Sequence, residues 1–211
     1  MLDHLWIMSR RPMFIVVEGP DGVGKSSTVH ELVKAVEDRH GPSTSLAFPG
    51  RKEGTLGALV HKLHHEPNLF DITSITPLAL QALHVAAHLD VIETVIKPLL
   101  ACGTNVVLDR FWWSTWVYGT VHGINPNVLQ RLIDVEIAAW DACLPDVAIL
   151  LDRTAPLKPE PQDSWALLKA EYARLAKQEA LKYPVHIVSN ESNHKDTLNT
   201  ICQILADAPA K

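Results

Sequence analysis

The sequence lacks the features that mark several classes of protein. It has no surplus of positive charge: 19 Lys and Arg stand against 24 Asp and Glu, and the net charge of −5 argues against general nucleic-acid binding. Its three cysteines (Cys102, Cys143 and Cys202) form neither a Cys-x-x-Cys pair nor a metal-ligand cluster, so we expect free thiols in a reducing cytosol. Its apolar runs fall short of a membrane span, so we expect a cytoplasmic protein with no membrane partner.

The N-terminus also lacks the order of a secretory signal, because its apolar residues precede Arg10-Arg11 instead of following them. We therefore expect residues 1–12 to be an extension ahead of the first strand. No internal repeat or low-complexity tract divides the remainder. The length suits one domain with a sizeable core, over residues 13–211.

What the chain does contain is an alternation of short apolar runs with longer stretches of helical periodicity. The runs predict strands at 14–17, 43–48, 105–108, 146–151 and 185–188. The periodic stretches predict helices at 26–39, 56–63, 75–101, 126–144, 163–182 and 195–206. Alternation of this kind predicts an α/β fold, a doubly wound five-stranded parallel sheet with helices on both faces.

One motif carries a specific chemistry. The segment from Gly19 to Ser26 fits G-x-x-x-x-G-K-[ST] without a mismatch, between a predicted strand and a predicted helix. In this pattern backbone N–H groups converge on phosphate oxygens, Lys25 supplies a charge toward the β and γ phosphates, and the Ser26 hydroxyl binds Mg²⁺. We therefore expect ATP and Mg²⁺ as cofactors, held by Gly19, Asp21, Gly22, Val23, Gly24, Lys25, Ser26 and Ser27.

Several segments together resemble the thymidylate kinase family. Glu18 to Ser27 is similar to the family loop E-G-x-[DE]-x-x-G-K-[ST]-[ST], and Phe48-Pro49-Gly50-Arg51 with Thr55 and Gly57 is similar to its F-P-x-R…T…G segment. Asp109-Arg110-Phe111, with Ser114-Thr115 after it, resembles the motif D-R-[YFH]. Pro145-Asp146 and Leu150-Leu151-Asp152 resemble the strand before the family's lid. The likeness runs in order over residues 13–155.

The resemblance implies a P-loop nucleoside-monophosphate-kinase fold and transfer of the γ-phosphoryl of ATP to a deoxythymidine monophosphate. Asp21 would contact the sugar and place the acceptor, and Asp109 would bind Mg²⁺. Arg51 and Arg110 would grip the acceptor phosphate, for which a guanidinium fork is well suited. The resemblance also implies a homodimer formed through the helix at 75–101, although an all-round apolar helix is equally compatible with burial within one subunit.

Three departures from the family pattern concern the acceptor and the lid. The family's base-stacking phenylalanine and phosphate-binding arginine align with His84 and His88, which either line a changed acceptor pocket or are ordinary core or surface histidines. Trp116 stands where many members have glutamine near the base; with Trp112 and Trp113 it either packs in the core or clamps a base. The lid, at about 152–164, contains only Arg153 and Lys158 as cations, and Arg153 is the candidate for stabilising charge on the transferring phosphoryl.

Three interpretations follow. The leading one is phosphorylation of a pyrimidine deoxynucleoside monophosphate that is either similar to dTMP or carries a modified base. In this interpretation the catalytic residues are Lys25, Asp21, Arg110 and Arg153. The second is a deoxynucleoside kinase acting on a hydroxyl, which the absence of an arginine at position 88 favours. The third is a non-catalytic nucleotide-binding regulator, which the short lid favours.

Overall fold

The computed structural model of the chain describes residues 11–141, 143–157, 162–191 and 193–207. Its centre is a sheet of five parallel strands in the order β2-β3-β1-β4-β5. In chain order the strands are β1 (Phe14–Glu18), β2 (Ser43–Ala47), β3 (Asn105–Asp109), β4 (Val147–Asp152) and β5 (Val185–Ser189). The predicted fold class is confirmed, and each predicted strand agrees with the structure to within a residue or two.

Helices cover both faces of the sheet. They are α1 (Lys25–His40), α2 (Leu56–His65), α3 (Pro77–Val91), α4 (Lys97–Ala101), α5 (Trp112–Val121), α6 (Pro126–Trp140), α7 (Gln162–Glu179) and α8 (His194–Asp207). A 3₁₀ turn spans Pro67–Phe70, and a π-helical turn (Ile92–Ile96) joins α3 to α4. The predicted helix at 75–101 is therefore nearly continuous in space, with a change of winding at its centre.

The helices differ from the predictions in three places, the least of which is that the helix predicted at 163–182 ends at Glu179. Helix α5 was not predicted, because Trp112-Trp113-Ser114-Thr115-Trp116 has no amphipathic spacing and most of its residues are buried. The helix predicted at 126–144 ends at Trp140, because Asp141 adopts a positive φ of 50° and the chain turns away there.

The pattern of burial explains why β1 lies at the centre. All five residues of β1 are buried, as are those of β3, because helices cover both faces of these strands. The residues of the edge strands β2 and β5 are instead half-buried or exposed, with a single buried residue in β5. Strand β1 pairs with β3 from Phe14 to Val17 and with β4 from Ile15 to Glu18, so the segment after β1 emerges between the ends of β3 and β4.

The apolar stretch Pro77–Ala101 is the one part of the described chain that is long and apolar enough to span a membrane by length and composition, with a mean hydropathy of 1.3. In the structure α3 packs against α2, α5 and α6. Buried Ile92 and Ile96 in the following turn belong to the core beneath the sheet. One face of this stretch therefore packs against other helices and the core, while only 33% of its apolar window is buried.

Candidate active site

The predicted phosphate loop, residues 19–24, lies between the carboxyl ends of β3 and β4, where parallel sheets bind ligands. Gly19, Gly22 and Gly24 have φ angles of 143°, 83° and 95°, a region that favours glycine. A Cβ atom on Gly24 would lie 2.5 Å from the Asn190 amide nitrogen, and one on Gly19 would lie 2.7 Å from the Leu151 carbonyl oxygen. The loop therefore needs these glycines for both its dihedral angles and its close packing.

Lys25 begins α1 and is only 6% exposed. Its ammonium donates to the carbonyl oxygens of Gly19 at 2.7 Å and Pro20 at 2.9 Å, so it lies folded into the loop. Burial, with the nearby charge of Arg110, lowers the pKa of Lys25 to about 8. Asp21 Oδ1 lies 3.9 Å from the ammonium and opposes this shift, and a polyanion in the loop would add further negative charge. Ser27, also predicted to contact the cofactor, is exposed in the first turn of α1.

Ser26 and Asp109 meet as the resemblance implies for a magnesium site. The Ser26 hydroxyl donates to Asp109 Oδ2 at 2.9 Å, while Asp109 Oδ1 is buried and has no hydrogen-bond partner. A hydroxyl and a carboxylate with an unused oxygen are donors that Mg²⁺ accepts alongside water and phosphate oxygens. The described residues offer no group of three or more His, Cys, Asp or Glu that could hold a metal, so the remaining ligands would come from nucleotide and water. The residues present fit the ion.

A second cluster joins the phosphate loop to the end of β3. Arg110 forms an ion pair with Asp21 Oδ1, and the Tyr118 hydroxyl donates to Asp21 Oδ2 at 2.7 Å. Burial works against ionisation of Asp21, but the charges of Arg110 and Lys25 outweigh it and lower the pKa of this carboxyl. The Arg110 guanidinium also lies over the Tyr118 ring, 5.6 Å from its centroid. The predicted Asp21 and Arg110 are thus in direct contact.

Arg110 is held in place by buried groups from β1 and α5. Its φ of 76° is unusual for a residue with a side chain, and its Nη1 donates to Ser114 Oγ at 3.0 Å. The fully buried Glu18 accepts from the backbone N–H groups of Phe111 at 2.7 Å and Ser114 at 3.1 Å. Burial raises the pKa of Glu18, against the opposing charges of Arg110 and Lys25. Glu18 therefore fixes the first turn of α5 directly after the arginine.

The start of the lid packs against the phosphate loop. The Leu157 N–H donates to the Gly22 carbonyl at 2.8 Å, and the Trp165 indole N–H donates to the Asp21 carbonyl at 2.8 Å. Arg153 donates to the backbone carbonyls of Ala155 and Asn190, so its guanidinium is fixed beside the loop. The predicted Lys158 lies outside the described residues, as do positions 158–161 of the predicted lid.

The histidines on α3 face two different environments. His84 is half-buried and its Nε2 lies 3.3 Å from His64 Nδ1 of α2. Burial and the neighbouring His88 lower the pKa of His84 to about 3, so its ring is neutral at physiological pH. His88 is only 2% exposed, stacks on Phe48 at 4.0 Å and bonds the buried Glu136 at 3.0 Å. The structure therefore places His88 in the core, and only His84 of the two offers a partly open ring.

The remaining predicted residues, Arg51 and the tryptophans of α5, lie in different environments and do not form one cluster. Arg51 is exposed in the loop after β2, and none of the hydrogen bonds or ion pairs within the described ranges joins it to Arg110. Trp112 and Trp113 are buried in the core, which agrees with the first of the two alternatives: indoles with 6% and 0% exposure have no free face for a base. Trp116 is half-buried and its indole N–H donates to Glu171 of α7 at 2.8 Å.

Sequence reasoning missed several residues that build this site. Asn190 lies at the end of β5, and its amide donates to the Val23 carbonyl in the phosphate loop at 2.7 Å. Tyr172 of α7 lies 2.9 Å from the Ser114 hydroxyl. Their positions at or beyond the lid gave no local motif. The only available signal for Asn190 was its place two residues after a predicted strand, near the sheet edge where the other candidates also stand.

The chain is similar to known proteins over most of its length. The family model described as thymidylate kinase matches residues 17–183. The thymidylate kinase of Chlorobium chlorochromatii is 37% identical over 149 residues, which make up 70% of this chain and 61% of that protein. The thymidylate kinase of Pelodictyon phaeoclathratiforme is 32% identical over 163 residues, 77% of this chain and 67% of that protein. The alignments thus span about three fifths to two thirds of these relatives' length.

A solved structure gives a similar fold over nearly the whole chain. The crystal structure of thymidylate kinase from Ehrlichia chaffeensis superposes with a TM-score of 0.73 and covers 92% of this chain and 98% of that one. The sequences are 22% identical, so this likeness concerns the fold.

Proposed function

Since the chain belongs to the thymidylate kinase family, we propose that it transfers the γ-phosphoryl group of ATP to a pyrimidine deoxynucleoside monophosphate such as dTMP. The observation that carries the proposal is the contact between Arg110, a cation suited to an acceptor phosphate, and Asp21 of the phosphate loop. Two phosphates that repel each other must be brought together for transfer, so a fixed acceptor cation directly beside the donor loop is what the reaction needs.

Each residue has a role in this proposal. Backbone N–H groups of residues 19–24 and the N-terminus of α1 hold the triphosphate, and Lys25 turns from the loop carbonyls to the β and γ phosphates. Ser26 and Asp109 hold Mg²⁺, which neutralises charge on the phosphate oxygens when bound. Arg153 contributes positive charge from its fixed position at the lid.

On the acceptor side, Asp21 binds the sugar hydroxyl and Arg110 the phosphate, with Arg51 approaching from its exposed loop. The half-buried His84 and Trp116 border the pocket for the base, while His88 supports it from the core through Phe48. A neutral imidazole is a smaller stacking surface than phenylalanine and adds a polar nitrogen. This composition favours an acceptor with polar groups on its base, a modified pyrimidine among them.

We further propose that the enzyme acts in the cytoplasm as a homodimer through the helix Pro77–Ala101. Exposed Leu78 and half-buried Leu89 lie on this helix and would be covered by a second copy. Light scattering of the purified protein should give twice the mass of 23.4 kDa. A monomer at micromolar concentration would contradict this part of the proposal.

The activity is tested by measuring ADP release from Mg-ATP with dTMP, dUMP, dCMP, a 5-substituted dUMP and thymidine as acceptors. We expect a monophosphate to be converted to its diphosphate, and Lys25→Ala to abolish the reaction. Preference for thymidine over dTMP would indicate a nucleoside kinase instead. Nucleotide binding without stimulation by any acceptor would contradict the proposal in favour of a regulator.

A further inference from the structure

The hydroxyl of Ser114 lies at the junction of three groups from different parts of the chain. It is 2.9 Å from Glu18 Oε2 of β1, 3.0 Å from Arg110 Nη1, and 2.9 Å from the Tyr172 hydroxyl of α7. Both Ser114, at 8%, and Tyr172, at 0%, are excluded from solvent. Water therefore competes little with these hydrogen bonds.

The direction of each hydrogen bond follows from the chemistry of the groups. A serine hydroxyl has one proton to donate and two lone pairs that accept. While Glu18 is ionised its carboxylate can only accept, and the guanidinium can only donate, so the serine proton goes to Glu18 and one lone pair goes to Arg110. The second lone pair is then left for Tyr172, which is the donor in this arrangement. Burial raises the pKa of Tyr172, so its phenol keeps that proton over the whole working range of pH.

These hydrogen bonds connect α7 to both Asp21 and Arg110, the ion pair that the proposed function assigns to the acceptor. Trp165, near the start of α7, donates to the carbonyl of Asp21, and Tyr172, about two turns further on, contacts Ser114. Arg110 adopts a left-handed backbone conformation, which a side-chain-bearing residue keeps only when its surroundings determine it. Its guanidinium is directed by its contacts with Ser114 and Asp21.

We propose that Ser114 and Tyr172 are positioning residues for Arg110, through which helix α7 fixes the guanidinium that receives the acceptor phosphate. The inference rests on the proposed function, since Arg110 is assigned to the acceptor there. Neither residue touches the reacting atoms. Their effect is on the binding of the acceptor and not on the donor site.

The test compares Tyr172→Phe with Tyr183→Phe. Both remove one buried hydroxyl; that of Tyr183 accepts from the Trp113 indole at 3.0 Å and donates to Glu179 at 3.0 Å, away from Arg110. For Tyr172→Phe we expect the KM for the acceptor to rise about fivefold, equivalent to about 1 kcal/mol for one lost hydrogen bond, with kcat and the KM for ATP within about twofold of wild type. Tyr183→Phe should lower the melting temperature about as much as Tyr172→Phe does, but it should leave the acceptor KM unchanged.

Ser114→Ala provides a second measurement. It removes the hydroxyl that accepts a hydrogen bond from Arg110, so the KM for the nucleotide acceptor should rise about tenfold, more than for Tyr172→Phe. An unchanged acceptor KM in Tyr172→Phe, or equal changes in the two tyrosine variants, would overturn the inference even if Ser114→Ala does not fold. A wild-type protein that phosphorylates no monophosphate would instead refute the proposed function, before any variant is compared.

Discussion

The side chain of Asn190 offers the sharpest test of how the phosphate loop is supported. It is 4% exposed and bonds on both sides: its amide donates to the Val23 carbonyl at 2.7 Å, and its carbonyl accepts from the Thr197 hydroxyl at 2.8 Å. It also fills the space that a Cβ on Gly24 would enter. Replacement by alanine would remove the hydrogen bonds that connect the end of β5 to α8 and to the phosphate loop.

The expected magnitude follows from these contacts. Two buried hydrogen bonds contribute about 1 kcal/mol each, and the Val23 carbonyl left unpaired adds a desolvation penalty of about 1 kcal/mol or more. Asn190→Ala should therefore destabilise the protein by about 3 kcal/mol. For a chain of this size that lowers the melting temperature by roughly 6–12 °C. Since the Val23 carbonyl belongs to the loop itself, the affinity for Mg-ATP should also fall, by about tenfold.

The assay is thermal or urea unfolding, followed by calorimetric titration with Mg-ATP below the melting temperature of the variant. Thr197→Val is the matched control: it removes the bond to the Asn190 carbonyl and keeps the amide contact with Val23. It should cost about 1 kcal/mol and leave nucleotide affinity within twofold. Equal nucleotide affinity in Asn190→Ala and wild type would refute the reasoning that this side chain shapes the loop.

Three further expectations follow from the site. Lys25 has a folded pKa of about 8, below its ordinary value, so the unfolded chain binds more protons than the folded one between that pH and about 10.5. The free energy of unfolding of the ligand-free protein should therefore increase as pH rises through this window, and this slope should be absent in Lys25→Met. The affinity for Mg-ATP should fall above pH 8, where Lys25 loses its charge. Asp109→Asn should raise the Mg²⁺ concentration for half-maximal activity at least tenfold with little change in folding, measured by metal titration of the rate. His84→Phe should lower the KM for dTMP severalfold if the base stacks there; an increase would show that the imidazole nitrogens bind the acceptor.

The fold could be predicted because its signals are local. The strand Phe14–Glu18 is a continuous apolar run, and helices such as α1 carry regular apolar spacing with a glycine at the end. Helix α5 gave no such signal, since its tryptophans are buried on several sides. Its existence depends on tertiary contacts, chiefly the carboxylate of Glu18 at its first turn.

The site residues that directly follow a strand could be predicted from the sequence. The residues that hold them in place from distant parts of the chain could not. The contacts of Asp21 with Arg110 and of Ser26 with Asp109 join segments that the motifs had already singled out. The environment of His88 could not be read from the sequence, because Glu136 lies 48 positions away on another helix. A histidine one turn from another looks the same in a pocket and in a core until the opposing helix is known.

The order of the strands has a consequence for how substrate preference can change. With β1 in the middle, most residues that the proposed function assigns to the acceptor come from the side of β2 and β3, while Asn190, Trp165 and the lid reach the phosphate loop from the side of β4 and β5. Under that proposal, replacements on α2, α3 or the loop after β2 should alter which molecule is accepted without disturbing the residues assigned to the triphosphate. Divergence in this chain follows that distribution only in part: the phosphate loop keeps its full pattern and positions 84, 88 and 116 do not, but the short lid after β4 also departs from the family pattern.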